Sequence, residues 1–444
     1  MIATASRRRL PTTNTSNTGT SHPIEHLTLA NGLRVVLAPD PGTGVVGIAM
    51  HVDVGFRSEP PGRTGFAHLF EHLMFQGSES LPKLEHFHVV QSSGGTFNGS
   101  THFDYTEYHE QLPAGALERG LFLEADRFRA PAITAENLAN QVDVVSEEIR
   151  LNVLNRPYGG FPWIDLPPVL FDTFANSHNG YGDFADLRSA TVEDCADFFE
   201  RYYCPANVVL TVCGDLDVET TTALVHRHFD DIPYRPAPRR PDFSEPWPDR
   251  VRAVDHPDPL APSPALAVGW RLPDPVGDLR GYLAHLLMGG VLADGESSPL
   301  QSELVGRRAL ASSAWAGPGL MGPLDGRDPD VFVLGALHPA SVPPQQVIGV
   351  ANELIATIAT DGPTDDEVIR ARARFAAGLY REGDATMART RNLGLFELLH
   401  GRAELLGELA GIADDIGADE IAAAAASLDP NRCAVLRVVP GGEN

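Results

Sequence analysis

Gly65-Phe66-Ala67-His68-Leu69-Phe70-Glu71-His72-Leu73-Met74-Phe75 sets two histidines and a carboxylate at i, i+3 and i+4 in an otherwise apolar run. A helix, with about 3.6 residues per turn, brings these three positions onto one face. Two neutral imidazoles a turn apart can hold a single Zn²⁺. Glu71, between them, then lies beside the metal's open position. A carboxylate there can take a proton from bound water and pass it to a departing amine. A single histidine on an apolar face is commonly a hydrogen-bonded core residue. Three such groups so close together are another matter, because burying them without a metal costs on the order of several kcal/mol.

Two histidines do not complete a catalytic zinc site, which uses three protein ligands and keeps one position open. The helical stretch from Glu136 offers Glu147 and Glu148 within Val144-Val145-Ser146-Glu147-Glu148-Ile149-Arg150. These two lie about 100° apart on a helix, so they cannot face one metal alike. Spacing alone does not choose between them, and a Glu-Glu pair with no motif nearby reads as a solvated face.

The chain has 444 residues, too many for one core, so at least two domains are expected. Hydrophobic residues make up 43% and charged residues 21%, as in a water-soluble globular protein. No apolar run approaches the roughly 18 residues that cross a bilayer. Met1 to His22 carries Arg7-Arg8-Arg9 with no apolar stretch behind it. It reads as a disordered lead-in and not as a secretion signal, so a cytoplasmic location is expected. The net charge of −25 leaves no basic footprint for nucleic acid. Cys195, Cys204, Cys213 and Cys433 show no Cys-x-x-Cys spacing and read as reduced.

Residues 26–38 read as a hairpin around Asn31-Gly32, followed by a valine-rich strand over 44–54. Helical periodicity covers 84–92, 117–128, 136–153 and 192–203, and strands are expected at 105–112 and 207–213. The proline-rich stretch 235–250 reads as a semi-rigid linker. Beyond it the order repeats, with strands at 265–270, 311–316, 331–337 and 433–439 and helices at 279–292, 343–361 and 365–381. The expectation is an α+β chain of two tandem homologous lobes, each a mainly antiparallel sheet with packed helices. Its divisions are 1–22 disordered, 23–234 the zinc-binding lobe, 235–250 the linker and 251–444 a non-catalytic lobe. His226 with His228, and His86 with His88, stand two residues apart, which splays the rings on a helix; they are read as surface residues.

His68-Leu69-Phe70-Glu71-His72, with Glu147-Glu148-Ile149-Arg150 starting 75 residues beyond His72, resembles the inverted zinc motif of the pitrilysin/insulinase metallopeptidases, peptidase family M16. Gly94-Gly95-Thr96-Phe97-Asn98-Gly99-Ser100-Thr101, continuing to Tyr108, resembles the family's Gly-Gly-x-x-Asn-Ala-x-Thr-x-x-Asp-x-Thr-x-Tyr segment. Asn140 to Val145 and Arg156-Pro157-Tyr158-Gly159 resemble its third-ligand helix and the turn after it. Within the family the likeness is nearest to the M16B, mitochondrial-processing-peptidase-like branch.

The resemblance implies a LuxS/MPP-like metallohydrolase fold and one Zn²⁺ per chain. The zinc would be held by His68, His72 and Glu148, with Glu71 as general base. It implies that Gly95, Thr96, Phe97 and Asn98 lie on an edge strand that pairs with an extended substrate. Gln141 stands where the family has an acidic residue near the metal, so the charge that residue provides is either missing here or supplied by another group, such as Glu147.

The family's oxyanion donors, an Arg and a Tyr in the second half, fall here on Val305 and Ser312. Neither gives a charge-assisted hydrogen bond. Arg307 and Arg308 are nearby, but no tyrosine follows as far as Trp315. The resemblance therefore implies the zinc-bearing subunit of a heterodimer whose partner brings the Arg/Tyr pair. The alternatives are a homodimer that uses Arg307 or Arg308, and a non-catalytic scaffold or peptide-binding subunit. The implied substrates are short or unfolded peptides, or one dedicated precursor.

Overall fold

The computed structural model describes residues 23–441. The lead-in expected over 1–22 lies outside the described residues. Among the described residues eleven strands form two sheets. The first holds β1 (Glu25–Thr28), β2 (Arg34–Pro39), β3 (Val45–Val52), β4 (Thr96–Thr101), β5 (Thr106–Pro113) and β6 (Val208–Gly214), in the order β1-β2-β6-β3-β5-β4. Only the β2–β6 pair is parallel.

The second sheet holds β7 (Arg252–Asp258), β8 (Ala265–Arg271), β9 (Ser313–Pro318), β10 (Val331–Leu337) and β11 (Ala434–Pro440), in the order β7-β11-β8-β10-β9. Again one pair, β7–β11, is parallel. Without β1, the first sheet has the same order and the same strand directions as the second. The duplicated α+β architecture read from the sequence is therefore present at the level of topology.

In the first sheet, β6 (Val-Val-Leu-Thr-Val-Cys-Gly) is buried along its whole length and β3 from its second residue on. A strand covered on both faces has no need to alternate apolar with polar residues. One cover is the Thr386–His400 helix, whose Leu393, Leu398 and Leu399 pack on Val36, Ala38, Val209 and Cys213. From the same side Arg391 Nε donates to Glu107 Oε1 at 2.6 Å. The opposite side carries α1 (Phe66–Leu73), α2 (Glu85–Ser92) and α3 (Leu117–Arg129). There Tyr108, the neighbour of Glu107 on β5, meets the ring of Phe75 just beyond α1 at 5.8 Å.

The compact units are not the two halves of the chain. One gathers residues 23–144, 182–241 and 380–408, the other 145–181, 242–379 and 409–441. The single cut expected at 235–250 is corrected on this point, for two packing reasons. The Thr386–His400 helix is a cover of the first sheet, and Leu166, Leu170 and Phe171 pack on Ala267, Val331, Val333 and Leu436 of the second. The stretch 235–250 is extended, as its prolines dictate. It is also anchored, by Arg240 on Asp104 at 3.0 Å and by the buried Glu245 accepting from the main chain of Asp172 and Thr173.

Candidate metal centre

Glu59 explains where α1 begins. Its carboxylate accepts from Gly65 N at 2.8 Å and Ala67 N at 2.7 Å. That satisfies two of the orphan donors at the helix start and places negative charge at the positive end of the helix dipole. The apolar positions of α1 are buried, and so is Glu71. His68 and His72 are half-buried, with ring centroids 4.8 Å apart and ring planes at 89°.

The helix α4 (Ala135–Ile149) is tied to this region from its own side. Asn137 Nδ2 donates to Gln76 O at 3.2 Å, and Gln141 Oε1 lies 3.3 Å from His72 Nδ1. With its proton on Nδ1, His72 donates to Gln141 and keeps Nε2 for a metal. Gln141 Nε2 in turn donates to Asn140 Oδ1 at 2.9 Å, which fixes the amide's orientation. The boundary after residue 144 falls inside α4, which runs unbroken through it and carries Glu148. One ligand atom each from His68, His72 and Glu148 lie within 4.8 Å of one another. Two imidazoles and a carboxylate at that spacing match the donor set of a catalytic zinc site.

Glu147 is elsewhere. It is 57% exposed and pairs with Arg150 at 3.1 Å, so its expected role beside the metal is corrected. Below Glu148 the helix passes into a π-helical stretch, Arg150–Leu154.

The β4 strand forms the edge of its sheet. Thr96 and Asn98 are exposed on it, and Asn98 Oδ1 accepts from Gly99 N at 3.0 Å. Phe97 turns inward among Phe75, His86 and Phe87, and Gly95 lies against β5. The strand residues next to Glu71 are two that the sequence reading passed over. Thr101 Oγ1 donates to Glu71 Oε2 at 2.7 Å. A Cβ on Gly99 would stand 3.0 Å from Glu71 Oε1, so a side chain there would crowd the carboxylate. Their signal was the alternation of β4, which puts Gly99 and Thr101 on one face. Tyr181 was also missed; its hydroxyl donates to Glu148 Oε1 at 3.2 Å. Arg156, Tyr158, Phe161, Trp163 and Tyr181 line a cavity of about 550 Å³. In the second half Arg307 and Arg308 are both paired with Glu303, at 2.9 and 3.1 Å.

A second group, His86, Glu110 and Glu124, also has ligand atoms within 4.8 Å, and all three residues are buried. His86 is thus not the surface residue its spacing suggested. Arg127 occupies both oxygens of Glu124 at 2.6 Å, so one charge remains on Glu110. Burial, and then the charge of Glu124, push the Glu110 carboxyl well up, while Arg127 pulls it down only in part. Burial and Arg127 hold His86 down to about 2, so its ring stays neutral. A proton on Glu110 balances this group.

That proton has a pH signature. The folded chain keeps it where the unfolded chain has released it, so stability present in acid is lost as pH rises from the ordinary glutamate range through the raised value. Glu110→Gln should therefore flatten the fall in melting temperature as pH rises above the ordinary glutamate range. Parallel curves for variant and wild type would show that Glu110 is not the group responsible.

The family model described as insulinase (peptidase family M16) matches residues 34–156, and that described as the peptidase M16 inactive domain matches 189–375. The chain is 31% identical over 304 residues to the zinc protease PqqE of Helicobacter pylori, a match covering 66% of each chain. It is 26% identical over 411 residues to an uncharacterized zinc protease, ML0855, of Mycobacterium leprae, covering 90% of this chain and 88% of that one. A crystal structure of a protease from Helicobacter pylori shares the fold, with a TM-score of 0.86 at 24% identity over 94% of this chain and all of that one. The chain belongs to the M16, insulinase-like family of zinc proteases. Among the described residues no helix is long and apolar enough to cross a membrane.

Proposed function

We propose that this chain is a zinc-dependent endopeptidase of the cytoplasm acting on short or unfolded peptides. In this reading it is the zinc-bearing, M16B-type member of a heterodimer. The observation that carries the reading is the convergence of His68, His72 and Glu148 within 4.8 Å, with Glu71 on the same helix as the two histidines. Bound Zn²⁺ supplies a Lewis acid that acidifies water and polarises a peptide carbonyl.

The chain's own residues do the rest. Glu71 takes a proton from the attacking water and returns it to the departing amine. Thr101 holds one oxygen of that carboxylate by a hydrogen bond, which orients it. The open edge of β4 pairs with an extended peptide through its main chain, with Gly95 to Asn98 alongside. The cavity lined by Asn152, Arg156, Tyr158, Phe161 and Trp163 mixes aromatic rings with polar groups and suits a substrate side chain that carries a hydrogen-bonding group.

Val305 and Ser312 cannot supply the Arg and Tyr donors, and Arg307 and Arg308 are engaged by Glu303, which supports a partner chain that brings both. A single precursor, such as the leader of a ribosomally made peptide, fits the same site. The purified chain should contain one zinc ion and cleave a peptide library weakly. Co-expression with a homologue carrying the Arg/Tyr pair should raise cleavage by a hundredfold or so, the usual worth of an oxyanion donor. Full activity from the isolated chain would remove the partner, and a chain free of zinc would leave the peptide-binding scaffold.

A further inference from the structure

We infer that Tyr181 is a positioning residue for the third metal ligand, holding the Glu148 carboxylate by a hydrogen bond from its phenol. The inference rests on the zinc reading above. A glutamate side chain turns easily about its last bond, and a donor on one oxygen fixes the carboxylate plane. Tyr181 supplies that donor to Oε1 at 3.2 Å.

The tyrosine is itself held on two sides. Its ring lies against Trp163, with centroids 5.5 Å apart at 60°. The next residue, Gly182, has φ +79°, and a Cβ there would come within 2.4 Å of Gly65 N and Thr64 O, the backbone that opens α1. Only glycine allows that approach. The segment is then tied down. Asp183 N donates to Thr64 Oγ1 at 2.9 Å, and Asp186 Oδ2 accepts from Thr64 N at 3.0 Å and Thr64 Oγ1 at 2.7 Å. One short stretch thus grips the entry of the helix bearing both histidines and, one residue earlier, reaches the carboxylate on α4. No part of the histidine motif encodes this coupling.

The test is the zinc dissociation constant of the full chain, measured by competition with a chromophoric chelator. Tyr181→Phe keeps the ring and removes only the hydroxyl. It should weaken zinc binding about tenfold, the lower end for loss of an outer partner. The stoichiometry should stay at one, and the melting temperature of the metal-free protein should not change. In a Glu148→Ala background the same change should leave the residual affinity as it is. Wild-type affinity in Tyr181→Phe, an equal loss in both backgrounds, or a loss that comes with a less stable metal-free protein would overturn the inference. A wild-type chain that takes up no zinc would instead remove the zinc reading itself.

Discussion

Glu71→Gln should bind one zinc ion as tightly as the wild type and cleave peptides about 10²- to 10⁴-fold more slowly, the range a general base supplies. The substitution is nearly isosteric, and Thr101 can still donate to the amide oxygen at the position of Oε2. The backbone of α1 is held by Glu59 and by the buried Phe66, Leu69, Phe70 and Leu73, none of which the change touches. His68, His72 and Glu148 keep their places. Zinc content and affinity, read beside kcat, separate this outcome from a damaged metal site. Turnover within a few-fold of wild type would mean that another group moves the proton.

Arg127→Met should destabilise the fold by about 3–5 kcal/mol, the cost of stranding a buried charge whose partner is removed. That is a large share of the roughly 5–15 kcal/mol that holds a typical domain together. Arg127 is 3% exposed and makes three contacts to the fully buried Glu124, at 2.6, 2.6 and 3.1 Å. Its guanidinium also sits over the rings of Phe75 and Tyr108, at 4.8 and 4.6 Å. Methionine keeps much of the volume and none of the charge, so Glu124 would share a buried space with Glu110 and no cation. Urea unfolding measures the loss, and Glu124→Gln added to Arg127→Met should recover part of it. A loss below about 1 kcal/mol, the level of an exposed ion pair, would show that water reaches the group.

The helix with His68, Glu71 and His72 was legible because its chemistry and its 3.6-residue period coincide. Both sheets were legible for a similar reason: β3, β6, β8, β10 and β11 are short runs rich in β-branched or other apolar residues. What was not legible depends on contacts distant in sequence. Glu147 and Glu148 are equivalent by spacing; Glu148 accepts from Tyr181 while Glu147 pairs with Arg150 in solvent. His86 looked like a surface residue because of its pairing with His88. The available signal was in β5, where Glu110 shares a face with Tyr108 and Leu112, so a carboxylate had to point into the core. The Thr386–His400 helix showed no apolar stripe because it buries Arg389, Thr390, Gly394 and Glu397 along with its leucines.

That late helix has a consequence for synthesis. By the time β6 leaves the ribosome at Gly214, every strand of the first sheet has been made, but Thr386 has still to be added. At about 5–20 residues per second, the nascent chain spends roughly ten to thirty seconds with Val36, Val209 and their neighbours bare on one side. Translation thus opens an interval in which a chaperone, or another nascent copy, can reach that sheet before its own cover arrives.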